Sequence, residues 1–223
     1  MRAFLAASGL LRAGLRALDA GCGFGAATFA LMDALHWKGL EYEILDAFDL
    51  TPAMLSRFRA RLEARRVLHV RVRQADVTAL EQLPSDWTAY DLVLSAGMLE
   101  HVPKKELPRA ISGLRGLLAP NGRIVAFITK KSWEAEIFIG SWSHAESYTQ
   151  DEMRHAFEAG GFIDPVFGRF PSQYFWLNQS LHTVVTKPQP VSLTDSSKGV
   201  GVGTLYRVAP ECSKTQEEVF GTR

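Results

Sequence analysis

The stretch ALDAGCGFG, residues 17–25, decides how this chain is read. Leu15 to Asp19 reads as a short apolar strand, and Ala26 to about Leu35 reads as a helix. Glycines between a parallel strand and a helix let backbone come close to a ligand, and the helix start offers free N–H groups. Gly21, Gly23 and Ala26 also fit GxGxxA, a nicotinamide-cofactor fingerprint, so the loop alone admits a dinucleotide. Asp19 argues the other way. A carboxylate two residues before the first glycine opposes a pyrophosphate and suits a ligand bearing an ammonium or sulfonium group. The competing role for Asp19 is to cap the helix or the turn.

Working outward, Tyr42 to Asp49 is a second strand, and a carboxylate at its end can accept both hydroxyls of a ribose. Asp46 competes with Asp49 for that role. Asp49 is preferred because Leu50-Thr51-Pro52 follows it and opens a helix that runs to about Arg65. Strands are expected at Val67–Val72, Tyr90–Ser95 and Gly122–Thr129, with a helix at Lys104–Leu118 and a turn at Pro120–Gly122. A helix at Thr149–Ala159 ends on Gly160 and Gly161, and strands follow at Asp164–Phe170 and Leu181–Thr186. The alternation predicts an α/β fold with a doubly wound, mostly parallel seven-stranded sheet. The last two strands have no clear helix between them and are expected as an antiparallel pair at one edge. Residues 1–187 are read as one domain with a short N-terminal amphipathic helix. Residues 188–223 are read as a polar tail with a weak strand at Gly203–Val208.

Composition narrows the function. The 223 residues carry a formal net charge of +1, which leaves no basic field for a nucleic-acid backbone. The basic run from Arg57 to Arg66 is read as a solvated helix face. Two cysteines far apart, Cys22 and Cys212, predict no disulfide and a reducing cytosolic setting. No cysteine or histidine spacing suggests a metal site, and no apolar run is long enough for a membrane span. The N-terminal segment holds Arg2, Arg12 and Arg16 and no acid before Asp19, as transit peptides do; a helix leading straight into the first strand is the preferred reading.

Five segments together resemble class I S-adenosylmethionine (SAM)-dependent methyltransferases. LDAGCGFG (18–25) looks like the first motif of that family, and FDLTPAML (48–55) is similar to its ribose segment. QADV (74–77) resembles the adenine segment, YDLVLSAGMLEHV (90–102) the fourth-strand motif, and LRGLLAPNGRIVAF (114–127) the closing helix–turn–strand. The resemblance implies SAM as cofactor and assigns roles. Gly21, Cys22, Gly23 and Gly25 would floor the methionine portion, Asp49 and Leu50 would hold the ribose, Asp76 and Val77 the adenine, and Ser95 and Ala96 would line the sulfonium end. The family has longer helices before its first strand than the 14 residues found here, so the expectation is that the acceptor site is open, that later loops cover it, or that the N-terminus is shortened.

Methyl transfer needs alignment above all, and a base only for a nucleophile that keeps its proton. His101, beside Glu100 after the fourth strand, is the candidate base; both also read as structural residues near the cofactor. Aromatic loops containing Trp133, Phe138, Trp142 and His144, and Tyr174 and Trp176, are candidate acceptor walls, with Tyr148 a further base candidate. A small organic molecule methylated at O, N or C is the expected substrate. The alternatives are a non-methylating SAM-fold protein, such as a partner subunit or a SAM-dependent cyclase, and an NAD-dependent oxidoreductase. Nothing in the sequence indicates an oligomeric state.

Overall fold

The computed structural model describes residues 1–130, 146 and 148–189. The elements run α1 (Arg2–Ala7), β1 (Leu15–Ala20), α2 (Ala26–Trp37), β2 (Tyr42–Asp49), α3 (Pro52–Ala64), β3 (Val70–Gln74) and β4 (Tyr90–Ala96). Then come α4 (Leu107–Gly116), β5 (Leu118–Thr129), α5 (Gln150–Ala159), β6 (Phe162–Gly168) and β7 (Leu181–Pro188). The seven strands lie in the order β3-β2-β1-β4-β5-β7-β6. β1 to β5 pair in parallel, while β7 pairs antiparallel with both β5 and β6. Chain order reverses between β1 and β4, which is where α/β sheets open a ligand crevice at their carboxyl edge.

Helices cover both faces because the central strands are apolar on both sides. Leu18, Val93, Ala126 and Ile128 pack with Ile111 and Leu114 of α4 and Phe157 of α5. On the other face Ala17, Leu92, Leu94 and Phe127 pack with α1 and with Leu31 and Leu35 of α2. The ring of Phe4 in α1 meets Phe127 edge-on at 5.6 Å. A third cluster joins α3 to the turn after β1 through Phe58, Leu55, Phe29 and Cys22.

Several boundaries differ from the expected ones for identifiable reasons. The third strand starts at Val70, because the Val67 N–H donates to Leu62 O and closes the end of α3 behind Arg66 at φ 53°. α4 is shorter than expected, starting at Leu107 with Pro108 in its first turn. Pro120–Gly122 do not end a strand. β5 passes through them, and the register with β4 jumps from Tyr90–Leu118 to Leu92–Arg123, so the turn residues become a bulge. β6 begins at Phe162, directly after the glycines, because its ring packs on Phe157 at 5.7 Å. The expected tail, from residue 190 on, lies outside the described residues.

Candidate functional site: a cofactor cavity at the carboxyl edge

Register sets the site. Ala20 at the end of β1 pairs with Phe48 and with Ser95, so Gly21, Asp49 and Ala96 leave the sheet at one edge. Asp49 pairs with Gln74, which brings Ala75, Asp76 and Val77 to the same edge. These residues wall a cavity of about 790 Å³ that continues past Met98, Glu100 and His101 to Phe127, Thr129 and Leu181.

The glycine turn is held from three sides. The N–H groups of Gly21 and Cys22 both donate to Phe48 O, and Gly25 N donates to Cys22 O. Gly21 sits at φ 73°, and a Cβ there would stand 2.3 Å from the Met98 side chain. Gly25, the N-cap of α2, sits at φ 87° against the Phe58 ring and is not on the cavity wall, contrary to the expected floor role. Asp49 ties the turn to the start of α3: Gly23 N donates to its Oδ2 and Thr51 N to its Oδ1, both at 2.8 Å. Each oxygen keeps a lone pair for a ligand hydroxyl. Asp46 is excluded from that role. It is fully buried, gripped by both Arg71 Nε and Nη2 at 2.6 Å, and accepts from the Tyr90 hydroxyl.

Asp19 lies beneath the turn and not on the cavity wall, which corrects the expectation of a direct contact. Thr28 donates to its Oδ2 at 2.5 Å, while Oδ1 has no partner among the described residues. Burial raises its carboxyl from 3.8 to about 6, against the pull of Thr28 and with a smaller push from Asp49. The folded, unliganded protein therefore keeps a proton that the unfolded chain has lost between pH 3.8 and 6. Raising pH through that window weakens the unliganded fold by about 3 kcal/mol at this group. A cation over the turn favours the ionised form, so SAM affinity is expected to fall as pH drops below about 6. Calorimetric titrations from pH 5 to 8 should show proton release on binding in the acidic range, and Asp19→Asn should abolish it. Equal proton release in Asp19→Asn would refute this assignment.

Cys22 lies on the wall, but burial and the carboxylates of Asp19 and Asp49 push its thiol far up, so it stays protonated. Asp76 also reaches the wall. Its Oδ1 accepts from Thr78 N and Oγ1, both at 2.8 Å, and Val77 and Thr78 line the cavity beside it. Ala96 is on the wall, whereas Ser95 is buried in the sheet with its hydroxyl unpartnered among the described residues. Alternation along β4 turns neighbouring side chains to opposite faces, so Ser95 does not line the sulfonium end as expected.

Glu100 is 5% exposed. Thr129 Oγ1 donates to its Oε1 at 2.8 Å, and Oε2 has no partner among the described residues. His101 is exposed at the cavity rim. Tyr148 is a core residue whose hydroxyl donates to Val102 O; burial raises it to about 12, which removes it as a base. Tyr174 and Trp176 do not reach the cavity wall. Asn178 clamps the backbone of Phe170 through both of its amide atoms, folding residues 170–178 into a closed loop. Tyr174 then packs on the α1 side of the core, with Trp176 half-exposed against it at 5.7 Å. Trp133, Phe138, Trp142 and His144 lie outside the described residues. Wall residues that sequence reasoning missed include Met98, Glu106, Phe127, Thr129 and Leu181. Of these, Thr129 at the end of an apolar strand and Glu106 before α4 are polar, but neither stands in a motif.

The residues present fit SAM: a glycine turn that a Cβ would fill, a ribose-facing carboxylate and an orphaned buried acid beneath. Residues 17–122 match the methyltransferase-domain family. That segment, in this sheet order, has the class I SAM-dependent methyltransferase fold, and SAM is its cofactor. Over 220 residues it is 26% identical to the highly reducing polyketide synthase NEC1 of Pyricularia oryzae. That match covers 90% of this chain and 8% of the synthase, so the chain spans less than a tenth of its curated relative. The trans-methyltransferase CalH in complex with SAH shares the fold at TM-score 0.67 and 18% identity, over 84% of this chain and 54% of CalH. Magnesium protoporphyrin IX methyltransferase from Synechocystis PCC 6803 with bound SAH shares it at TM-score 0.58 and 20% identity, over 83% and 78% of the two chains. No described helix is long and apolar enough to cross a membrane.

Proposed function

We propose that the domain transfers the SAM methyl group to a small organic acceptor by in-line displacement. The observation that carries this reading is the cavity itself: beyond the turn and the two aspartates it continues to Glu100, Phe127, Thr129 and Leu181, leaving space for a second molecule. Bound SAM supplies an electrophilic methyl carbon on a sulfonium. The chain's own residues then align and desolvate. Phe127, Leu181 and Met98 offer an apolar wall that fixes the acceptor and excludes water.

Glu100, rather than His101, is the better placed proton acceptor. Thr129 fixes one of its oxygens and the other is unpartnered among the described residues, whereas His101 is exposed and its ring has no partner among the described residues to orient it. Glu100→Gln keeps the shape and the Thr129 bond. It is expected to lower kcat by about 100-fold, with SAM affinity unchanged, if the acceptor atom carries a proton. A full-rate variant with such an acceptor would remove Glu100 from the chemistry.

A second reading is favoured by one observation, the 26% identity to a polyketide synthase. It takes a polyketide-type acyl chain as acceptor, whose activated carbon would also need a proton removed. One screen tests both readings. Small molecules and acyl thioesters are supplied with SAM, SAH release is measured, and an Asp49→Ala control is run alongside. Binding of SAM with no release on any acceptor would favour a non-methylating SAM protein.

A further inference from the structure

Two cavities of opposite sign meet at Leu181. The cofactor cavity presents Asp49, Asp76, Glu100 and Glu106 and, among the described residues, no lysine or arginine. A second cavity of about 520 Å³ presents Lys130, Arg169 and His182 with the amides of Gln150, Asn178 and Gln179 and, among the described residues, no carboxylate. Leu181 belongs to both walls, and the consecutive residues Thr129 and Lys130 belong to one each.

The second cavity is built, not merely lined. Lys130 N donates to Ser180 O at 2.9 Å, and its ammonium donates to Asn178 O, which anchors it and leaves two N–H groups without a partner among the described residues. Asn178 is itself locked to Phe170. His182 is buried, its Nε2 at 3.1 Å from Tyr148 O and its ring edge-on to Phe167 at 5.8 Å. Burial and nearby Lys130 hold the imidazole below its usual value, so the charge comes from Lys130 and Arg169. Helix α5 begins at this wall with Gln150; Asp151 and Glu152 in its first turn offset the positive end of that helix, so the site rests on the two side-chain cations. An ammonium and a guanidinium in one concavity, with no carboxylate among the described residues of its wall, form a receptor for an anion.

We propose that the second cavity is an anion subsite that holds a phosphate or carboxylate group of the methyl acceptor. The reactive end of that acceptor passes Leu181 into the cofactor cavity. The four carboxylates of the first cavity repel the anionic end, so the pair of cavities sets the direction in which the acceptor lies. The word acceptor rests on the methyl-transfer reading; the anion site does not.

The test uses the full chain saturated with SAH, at constant ionic strength. Inorganic phosphate and, separately, acetate are titrated while NMR follows the His182 ring and the Asn178 and Gln179 side-chain amides. Saturable shifts at millimolar anion are expected, weakened by about tenfold or more in both Arg169→Gln and Lys130→Gln, with melting temperature and SAH affinity unchanged. Response to phosphate alone points to a phosphate-bearing acceptor and response to acetate alone to a carboxylate; either supports the subsite. Non-saturating shifts, or equal affinities in Arg169→Gln and the parent, overturn it. Phosphate binding without SAH binding would sink the cofactor assignment and leave the subsite standing.

Discussion

Asp49→Ala is expected to weaken SAM binding by about 100-fold, the equivalent of roughly 3 kcal/mol. The carboxylate does two jobs at one point. It faces the cavity, and it accepts N–H groups from Gly23 and Thr51, one on each side of the crevice. Gly21, Gly23 and Gly25 all sit at positive φ, where glycine has no strong preference of its own, so the turn depends on external bonds to keep its shape. Without Asp49, the Gly23 N–H loses its partner and the cavity loses its ribose acceptor together. Asp49→Asn retains one acceptor and should lose only about tenfold. Calorimetry with SAM and with SAH checks both variants, and Asp49→Ala binding within threefold of the parent would refute the role.

The largest stability loss is expected at Asp46, three residues earlier on the same strand. Asp46→Ala strips a fully buried carboxylate from Arg71 and orphans the buried Tyr90 hydroxyl. Breaking a buried pair from one side costs about 3–5 kcal/mol. Arg71 is 43% exposed and also pairs with Asp86, so it can turn to water, and about 3 kcal/mol is the appropriate end of that range. The melting temperature should fall by roughly 10 °C. Asp86→Ala breaks the exposed partner and should change stability by less than about 1 kcal/mol. SAM affinity of folded Asp46→Ala should stay near the parent value, which separates this aspartate from Asp49. Thermal unfolding followed by circular dichroism, with a SAM titration below the transition, distinguishes the two.

These two aspartates show how far the sequence could be read. Strand alternation alone puts residues 46 and 49 on opposite faces, and the helix-opening Thr51-Pro52 picked the one at the sheet edge. The partners that lock Asp46, Arg71 and Tyr90, lie on β3 and β4 and could not be paired with it before the strand order was known. The core strands were legible because their apolar runs are continuous. The strand ends were not, since they depend on bonds such as Val67 to Leu62 that close the preceding helix. Asp19 was legible as an acid under the turn but not as a buried one, because Thr28 comes from the next helix. The acceptor side was least legible. Aromatic richness drew attention to Tyr174 and Trp176, which a clamp by Asn178 turns away from the cavity. The Glu100–Thr129 contact joins the turn after β4 to the end of β5 and has no local signature.

The placement of β7 between β5 and β6 has a consequence for how the chain is made. β5 emerges from the ribosome some fifty residues before the strand that will flank it, and β6, which precedes β7, does not pair with β5 directly. Until Leu181–Pro188 arrive, the backbone of Ile124–Ile128 is a bare apolar margin able to stitch onto any passing strand. Nascent chains halted before Leu181 should therefore depend on holdase protection, and completion of β7 is the event that closes this margin of β5 against such pairing.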